Sequence, residues 1–520
     1  MQLFVFRVSE SEPGKVIARS VWFLMSLLFV TNSVAENNIA INNDAEKKGA
    51  QKLYQQHCAS CHASSRLGGM GPALLPENLK RLRKNKALNI IEKGRAATQM
   101  PAFGSVLTAS QRQLLVKYIY TPLENMPDWG MAEIRQSHLI HYKPASLSSQ
   151  PVFKADMLNL FVVVELGDHH ATLLDGDKFE PIHRFKTRFA LHGGPKYSPD
   201  GRYVYFVSRD GWVSQFDIYT LKTVAEIRAG INTRNLAVSG DGKTILVGNY
   251  LPHTLVLLNA ENLEPIEIIP VKDKNGKTSR VSAVYTAMPR NSFIVALKDI
   301  PEVWEMHYND KRQFPVRHIL LDDYLDDFQF DPSYTYLMGA ARNAKNGQVI
   351  NLNIGRKVAD LELTGLPHLS SGITWNYKGR RVMATPNLKK SEISIIDMTS
   401  WKTIKRIKTL GPGFFMRSHE NSAYAWADVF FGPNKEAVHV IDKQTLEIAK
   451  TLRPSPGKNA AHVEFDRYGK HVLLSVWDMD GELIVYNANT LKELKRLPMK
   501  KPSGKYNVYN KINRSAGTSH

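Results

Sequence analysis

Cysteine is nearly absent from this chain: 520 residues contain two. Two thiols cannot staple an exported fold of this size through disulfides. They fall in one Cys-x-x-Cys, and no second pair exists to complete a zinc site. Acidic residues are also scarce, 49 against 68 Lys and Arg, leaving a formal charge of +19. Long apolar runs are missing too. The longest, Val21 to Val30, is about half of the roughly 20 residues that a membrane-spanning helix needs. What remains is ordinary: 43% hydrophobic and 9% aromatic residues, which excludes a largely disordered chain.

The short apolar run has a different meaning. Lys15 and Arg19 precede it, and Ser33-Val-Ala35 follows as a small-x-small cleavage pattern. This predicts a secretory signal peptide over residues 1–35, cleaved after Ala35, and a periplasmic protein with no membrane span after cleavage. The alternative is an N-terminal anchor. Three bases and two acids lie in the leader, so its loss leaves +18. Export and the lack of a nucleic-acid motif argue against a nucleic-acid partner.

Both cysteines lie in Cys58-Ala-Ser-Cys61-His62, the pattern of covalent c-type haem attachment, with His62 as an axial ligand. Residues 45–56 read as a helix leading into it, which disfavours a thioredoxin-like pair. The sixth iron ligand is expected downstream, at Met100 or Met70. Met100 heads Met-Pro-Ala-Phe-Gly104, followed by a helix that Thr108 can cap. Met70 sits in a tight Gly-Gly-Met-Gly-Pro turn. Helix, attachment motif, methionine loop and capped helix resemble a class I cytochrome c, placed over residues 36–122. Lys80, Arg81, Arg83, Lys84, Lys86, Lys93 and Arg95 give it a basic cluster, either a solvated face or a docking surface for an acidic electron partner.

Residues 123–150 are rich in Pro and Ser and read as a linker. From 151 to 520 the chain becomes strand-like and repeats. A turn followed by a strand recurs at Gly201, Gly242, Asn291, Tyr334, Gly379, Ser422 and Gly469, in steps of 41, 49, 43, 45, 43 and 47 residues. A second marker recurs between outer strands, as in Asp217-Ile-Tyr-Thr220-Leu and Asp442-Lys-Gln-Thr445-Leu. Units of about 40–50 residues with four short strands are β-propeller blades. Seven turn markers and an earlier unit around Asp175-Gly176 predict eight blades, closed by pairing the two ends of the region. A few residues before the turns stand His192, Arg234, Tyr285, Asp326 with Asp327, His368, Arg417 and His462. These residues are predicted to converge on one mouth of the central channel, where a scaffold propeller would carry small or apolar side chains.

A small all-α cytochrome c followed by an all-β eight-bladed propeller resembles the cytochrome cd1 nitrite reductase family. The segment Leu191-His-Gly-Gly-Pro-Lys-Tyr-Ser-Pro-Asp-Gly-Arg-Tyr-Val204 is similar to the family's proximal haem d1 segment. Ser208-Arg-Asp-Gly211, Ile231-Asn-Thr-Arg-Asn235 and Gly504-Lys-Tyr-Asn-Val-Tyr-Asn510 match as well. The likeness implies that His192 binds haem d1 iron. It also implies that Lys196, Arg209 and Arg234 face the tetrapyrrole's carboxylates. Of the two histidines with which the reductases protonate nitrite, His368 corresponds to one, whereas Asp326 replaces the other. His462 stands where the reductases do not usually carry histidine, and the ending at 514–520 differs. This pattern resembles the dihydro-haem d1 dehydrogenases, the branch that completes haem d1 biosynthesis.

The implied reaction oxidises a propionate of dihydro-haem d1 to the acrylate of haem d1. His462, His368 and Tyr506 are the candidates for proton handling. The covalent haem c would pass electrons to a periplasmic acceptor. Nitrite reductase and other haem d1 maturation proteins are possible partners. Two other functions stay open: an NO-forming nitrite reductase, which a bare Asp326 carboxylate disfavours by repelling nitrite, and a haem d1 carrier or assembly scaffold. The C-terminal stretch 492–514, with eight bases and one acid, reads as solvated surface or a docking face.

Overall fold

A computed structural model describes residues 44–513, apart from Met70, Arg81, 96–99, Pro127, 309–312, Asn343 and Thr364. The expected leader, Met70 as a candidate ligand, and the ending at 514–520 lie outside the described residues. Among the described residues no helix is long and apolar enough to cross a membrane.

The N-terminal part is helical. The helix Asp44–His57 leads into the short helix Ala59–His62, and the helices Lys84–Lys93 and Ala109–Ile119 pack against them. Their apolar faces close a small core of Tyr54, Leu79, Ala87, Ile91, Leu107, Leu115, Val116 and Ile119. Thr108 caps the last helix through a reciprocal box: its hydroxyl accepts from Gln111 N at 3.2 Å, and Gln111 Oε1 accepts from Thr108 N at 2.8 Å. This satisfies two donors that a helix start leaves open.

Residues 123–150 are more than a tether. Ile134, in the helix Met131–Gln136, is fully buried, and Trp129 packs beside it against the propeller. Leu139–Ile140 pair with Glu226 and Ala225 as a fifth, outermost strand of one blade. Pro and Ser content suggested an open linker. The few apolar side chains in the stretch instead bind it to the propeller as a strap.

The rest forms eight antiparallel sheets of four strands each, apart from that addition. Seven blades follow chain order. The blade built on Leu160–Glu165 takes its innermost strand from the other end, Pro502–Asn507, in the register Val162 opposite Tyr506. This closure joins the two ends of the ring, as expected.

The repeated turns explain the regularity. Gly201, Gly242, Asn291, Tyr334, Gly379 and Gly469 all have positive φ, between 49° and 78°, where the chain reverses between the two inner strands. The second marker works through its acid or amide. Asp442 Oδ1 accepts from Gln444 N and Thr445 N at 2.7 and 2.9 Å, and Leu446 then turns left-handed at φ 57°. Asp175, Asn351, Asp397 and Asn487 cap their turns in the same way. The side chain supplies the hydrogen bonds that the reversing backbone cannot make for itself. Between blades the sheets bury Val, Ile, Leu and aromatic side chains face to face. Each fully buried large side chain contributes about 1.5–3 kcal/mol.

Candidate functional site: the channel rim and the haem attachment loop

Each blade carries one of the candidate side chains on its innermost strand or in the residues just before it. Arg234, Tyr285, Asp327, Arg417, His462 and Tyr506 lie on strands Asn232–Val238, Val281–Ala287, Asp327–Phe330, Met416–Ser418, Ala460–Phe465 and Pro502–Asn507. His192 and His368 precede Lys196–Tyr197 and Ile373–Tyr377.

His192 is held by two arginines. Its Nδ1 donates to the carbonyl of Arg234 at 2.7 Å, which leaves Nε2 as the basic nitrogen. Arg209 Nη2 stands 2.6 Å from Nε2, and Arg234 Nη1 3.3 Å from it. Lys196 Nζ lies 5.8 Å from the centre of the Tyr285 ring. The loop carrying His192 can approach Tyr506 because Gly194 has φ 67° and no side chain: a Cβ there would sit 2.8 Å from the tyrosine ring. A nitrogen oriented by a backbone carbonyl and ringed by cations suits a metal whose ligand carries carboxylates.

Across the channel, His368 Nδ1 donates to Phe414 O at 2.6 Å, and its Nε2 lies 3.7 Å from Asp327 Oδ2. Asp327 also accepts from Tyr285 Oη at 3.2 Å and Ser370 N at 3.1 Å. Burial holds the His368 imidazole below its usual pKa, with Asp327 opposing. Asp326 turns away from this group. It pairs with Lys298 and accepts Arg342 N at 2.6 Å. Its charge is therefore compensated, which removes the repulsion of nitrite that its sequence position suggested.

His462 differs from the other two histidines. It is 1% exposed, and neither ring nitrogen meets a hydrogen-bond partner among the described residues. Its ring packs against Phe415 at 4.6 Å and Tyr506 at 5.2 Å. Burial first, then Lys505, Arg417 and Lys511, push its pKa well below the ordinary value, so the ring is neutral. Burial pushes the Tyr506 phenol up to about 12, so it stays protonated at neutral pH. An orphaned buried imidazole is costly and needs an explanation, and a substrate that supplies the missing partner provides one.

Several residues around His462 were missed or misread from the sequence. Lys505 and Lys511, placed on a solvated or docking face, are buried beneath the site. Lys505 Nζ bonds the carbonyl of His462 and donates to Ser475 Oγ at 2.8 Å, while Lys511 pairs with Glu464 at 3.3 Å. Lys505 lies on the innermost closing strand, and Lys511 on the short helix Val508–Ile512 that follows it. Asp428 is buried, and burial raises its pKa to about 6. Phe414, Phe415, Phe430 and Trp477 form an aromatic wall beside the two histidines. No turn marker adjoins Asp428 or this wall, so periodicity alone could not find them.

The haem attachment loop is preformed. Cys58 and Cys61 are not bridged. His62 is buried, and its Nδ1 donates to Pro72 O at 2.8 Å, which orients Nε2 for a metal. Arg66, 2% exposed, donates to Leu74 O, Tyr118 O and Thr121 O at 3.1, 2.9 and 2.7 Å and ties the loop to the last helix. Two open thiols and an oriented imidazole fit a covalent haem. Met100 packs against the same core, in a loop anchored by Phe103 N to Ile91 O at 2.9 Å.

This cytochrome is docked on the propeller. Ala73 and Leu75 bury against Ile231 and Leu251, with Leu67, Leu123 and Trp129 around them. Asn78 Nδ2 donates to Ile231 O at 3.1 Å, and Arg228 bonds the carbonyl of Leu67. Ile231 immediately precedes the strand that carries Arg234, and Asn232 Nδ2 on that strand donates to Glu77 O at 3.4 Å.

Fold and rim define the class: a c-type cytochrome seated on an eight-bladed propeller, whose channel is built for a polyanionic, metal-bearing ligand. The chain belongs to the cytochrome D1 heme domain family, whose model matches residues 155–511. A second family model, described as cytochrome C oxidase, cbb3-type, subunit III, matches residues 45–119. The chain is 57% identical over 470 residues to the dihydro-heme d1 dehydrogenase of Pseudomonas aeruginosa, covering 90% of this chain and 95% of that protein. The solved structure of dihydro-heme d1 dehydrogenase NirN in complex with DHE matches with a TM-score of 0.88 and 57% identity, over 89% of this chain and all of that one. The nitrite reductase of Stutzerimonas stutzeri is 24% identical over 97% of this chain and 99% of its own length.

Proposed function

We propose that this chain is a periplasmic dihydro-haem d1 dehydrogenase. The observation that carries this reading is the orphaned neutral imidazole of His462, buried on an innermost strand against Phe415 and Tyr506, in a chain 57% identical to such an enzyme. The substrate's –CH2–CH2–COO⁻ becomes –CH=CH–COO⁻: His462 would take one proton and, after releasing it, the second, and the two electrons would leave one at a time, by way of haem c, to a periplasmic electron acceptor. His192 holds the substrate iron through Nε2, the nitrogen its Arg234 hydrogen bond leaves basic. Arg209 exchanges its contact with that nitrogen for a carboxylate, and Arg234 and Lys196 hold further carboxylates.

His462 is the base. Its neutral ring has a free lone pair, and a positioned base of this kind contributes about 10²–10⁴-fold to a rate. Tyr506 keeps its proton and serves as a hydrogen-bond donor. His368 has both nitrogens engaged, with Phe414 O and with Asp327 and Ser370, and orients rather than abstracts. Cys58, Cys61, His62 and Met100 would hold haem c, which would supply a one-electron acceptor, used twice per turnover and reoxidised each time by a periplasmic electron acceptor.

The test is to mix purified holoprotein with dihydro-haem d1. Conversion to the haem d1 spectrum with reduction of haem c is expected. No conversion sinks the reading, and nitrite reduction by the protein loaded with haem d1 would replace it with the reductase.

A further inference from the structure

His462 sits in a conformation that its own sequence does not favour. Its φ is 54°, in the left-handed region, inside an otherwise regular strand. The pairing register slips there, between Ala461 and Val463, so the residue forms a bulge. A residue other than glycine holds such a geometry only where its surroundings over-determine it.

Two buried charges do so. Asp428 Oδ2 accepts from the backbone N–H of His462 at 3.2 Å, and Lys505 Nζ bonds the carbonyl of the same residue. The other oxygen of Asp428 accepts from Phe414 N at 2.7 Å and Phe415 N at 3.0 Å. Phe415 in turn packs on the His462 ring. One carboxylate thus fixes both the backbone of the imidazole and the aromatic that its ring leans on. Gly413 permits this, since a Cβ there would lie 2.7 Å from the carbonyl oxygen of Asp428.

We propose that Asp428, with Lys505 as counterpart, is the positioning group that holds His462 in its bulge and aims the imidazole into the channel. The inference rests on the dehydrogenase reading for its kinetic consequence, though not for its geometry. The charged groups around Asp428 come from three blades. Arg417 lies on its partner strand, Lys505 on the closing strand, and Glu464 beyond His462 balances both cations. Burial outweighs Arg417 and the three N–H donors and raises the Asp428 pKa to about 6. Above that pH the carboxylate accepts all three bonds. Below it the carboxyl gains a proton, and one oxygen no longer accepts. Turnover should therefore fall as pH drops through about 6.

The experiment uses holoprotein, wild type and Asp428→Asn. The asparagine oxygen can still serve Phe414 and Phe415, whereas its NH2 would confront the His462 N–H, so the variant breaks the selected contact. Single-turnover oxidation is followed across a range bracketing pH 6, together with crystal structures of both proteins. We expect the variant to be about 10²-fold slower at neutral pH, as for a reacting group displaced by an ångström. We also expect it to lose the inflection near pH 6 and to show His462 moved out of the left-handed region. A wild-type rate, an unchanged inflection or an unmoved His462 would each overturn the proposal. If the variant does not fold, infrared titration of the wild type decides: a buried carboxyl must gain its proton with the midpoint of the rate loss, and a mismatch overturns the proposal. If wild-type protein converts no substrate at any pH, the dehydrogenase reading fails, and the two crystal structures decide the positioning role alone.

Discussion

Replacing His462 with leucine should make the protein more stable and nearly inactive. The side chains are of similar volume, so the wall of Phe415 and Tyr506 needs little repacking. The stability gain comes from the two buried ring nitrogens that meet no partner. Each buried unsatisfied polar group costs about 1–3 kcal/mol. Two give about 2–6 kcal/mol. Leucine tolerates a left-handed φ less well than histidine, which returns up to about 1 kcal/mol. The net expectation is a stabilisation of about 1–6 kcal/mol, alongside a loss of about 10²-fold or more in conversion. Thermal unfolding at one scan rate, on protein without tetrapyrrole, reads the first quantity, and single-turnover absorbance reads the second. A destabilised variant would mean that the nitrogens are satisfied in the free protein, and the argument from an orphaned imidazole would fall. A variant of wild-type activity would remove His462 from the chemistry. His462→Gln separates the two effects, because it keeps buried polar atoms at the position but offers no base: stability close to wild type with conversion lost.

Other perturbations probe the remaining parts of the site. Arg209→Ala should weaken tetrapyrrole binding by about 10–100-fold, the worth of a charge-assisted hydrogen bond, and Arg209→Lys should recover only part of this in an absorbance titration; unchanged affinity would place the carboxylates elsewhere. Met100→Ala should lower the haem c reduction potential in a redox titration, because the thioether ligand raises it; an unchanged potential would hand the sixth position to Met70. The double variant Cys58→Ala, Cys61→Ala should lose covalent haem and with it conversion, and conversion at the normal rate would deny haem c its role.

The eight-bladed ring was legible because each blade must reverse its chain at the same two places. Reversal demands either a left-handed residue, such as Gly201 or Asn291, or an acid or amide that caps the turn, such as Asp217 or Asp442. Both leave marks at a fixed period. His192, Arg234, His368 and His462 were legible for the same reason, since they stand at a set distance before a turn. Asp428 was not, because it lies on the second strand of its blade and reaches the site through backbone contacts with two other segments. Lys505 and Lys511 were misread because a run of cations near a chain end normally lies in solvent. The burial of Lys505 follows from ring closure, which makes the last strand an innermost one, and Lys511 lies on the helix Val508–Ile512, which packs on that strand. The strap over residues 123–150 was hidden for the opposite reason: a few apolar contacts, such as Trp129 and Ile134, outweigh a polar composition.

The charge of the chain takes on a local meaning at the rim. Lys196, Arg209, Arg234, Arg417, Lys505 and Lys511 line the channel or lie just beneath it. The buried acids among them are Asp327, Asp428 and Glu464, since Asp326 is committed to Lys298. Cations therefore outnumber acids in a space where water is largely excluded and charge is expensive. Burial lowers the pKa of Lys505 and Arg417, the response expected of groups that lack full compensation. A ligand with several carboxylates supplies the missing charge, and its binding relieves a cost already built into the fold. The same excess raises the affinity for dihydro-haem d1 and for its product alike, because both carry the same carboxylates. Charge thus selects the class of ligand and cannot by itself drive the reaction. Under the proposed function that part falls to the neutral His462, whose buried ring nitrogens meet no partner among the described residues.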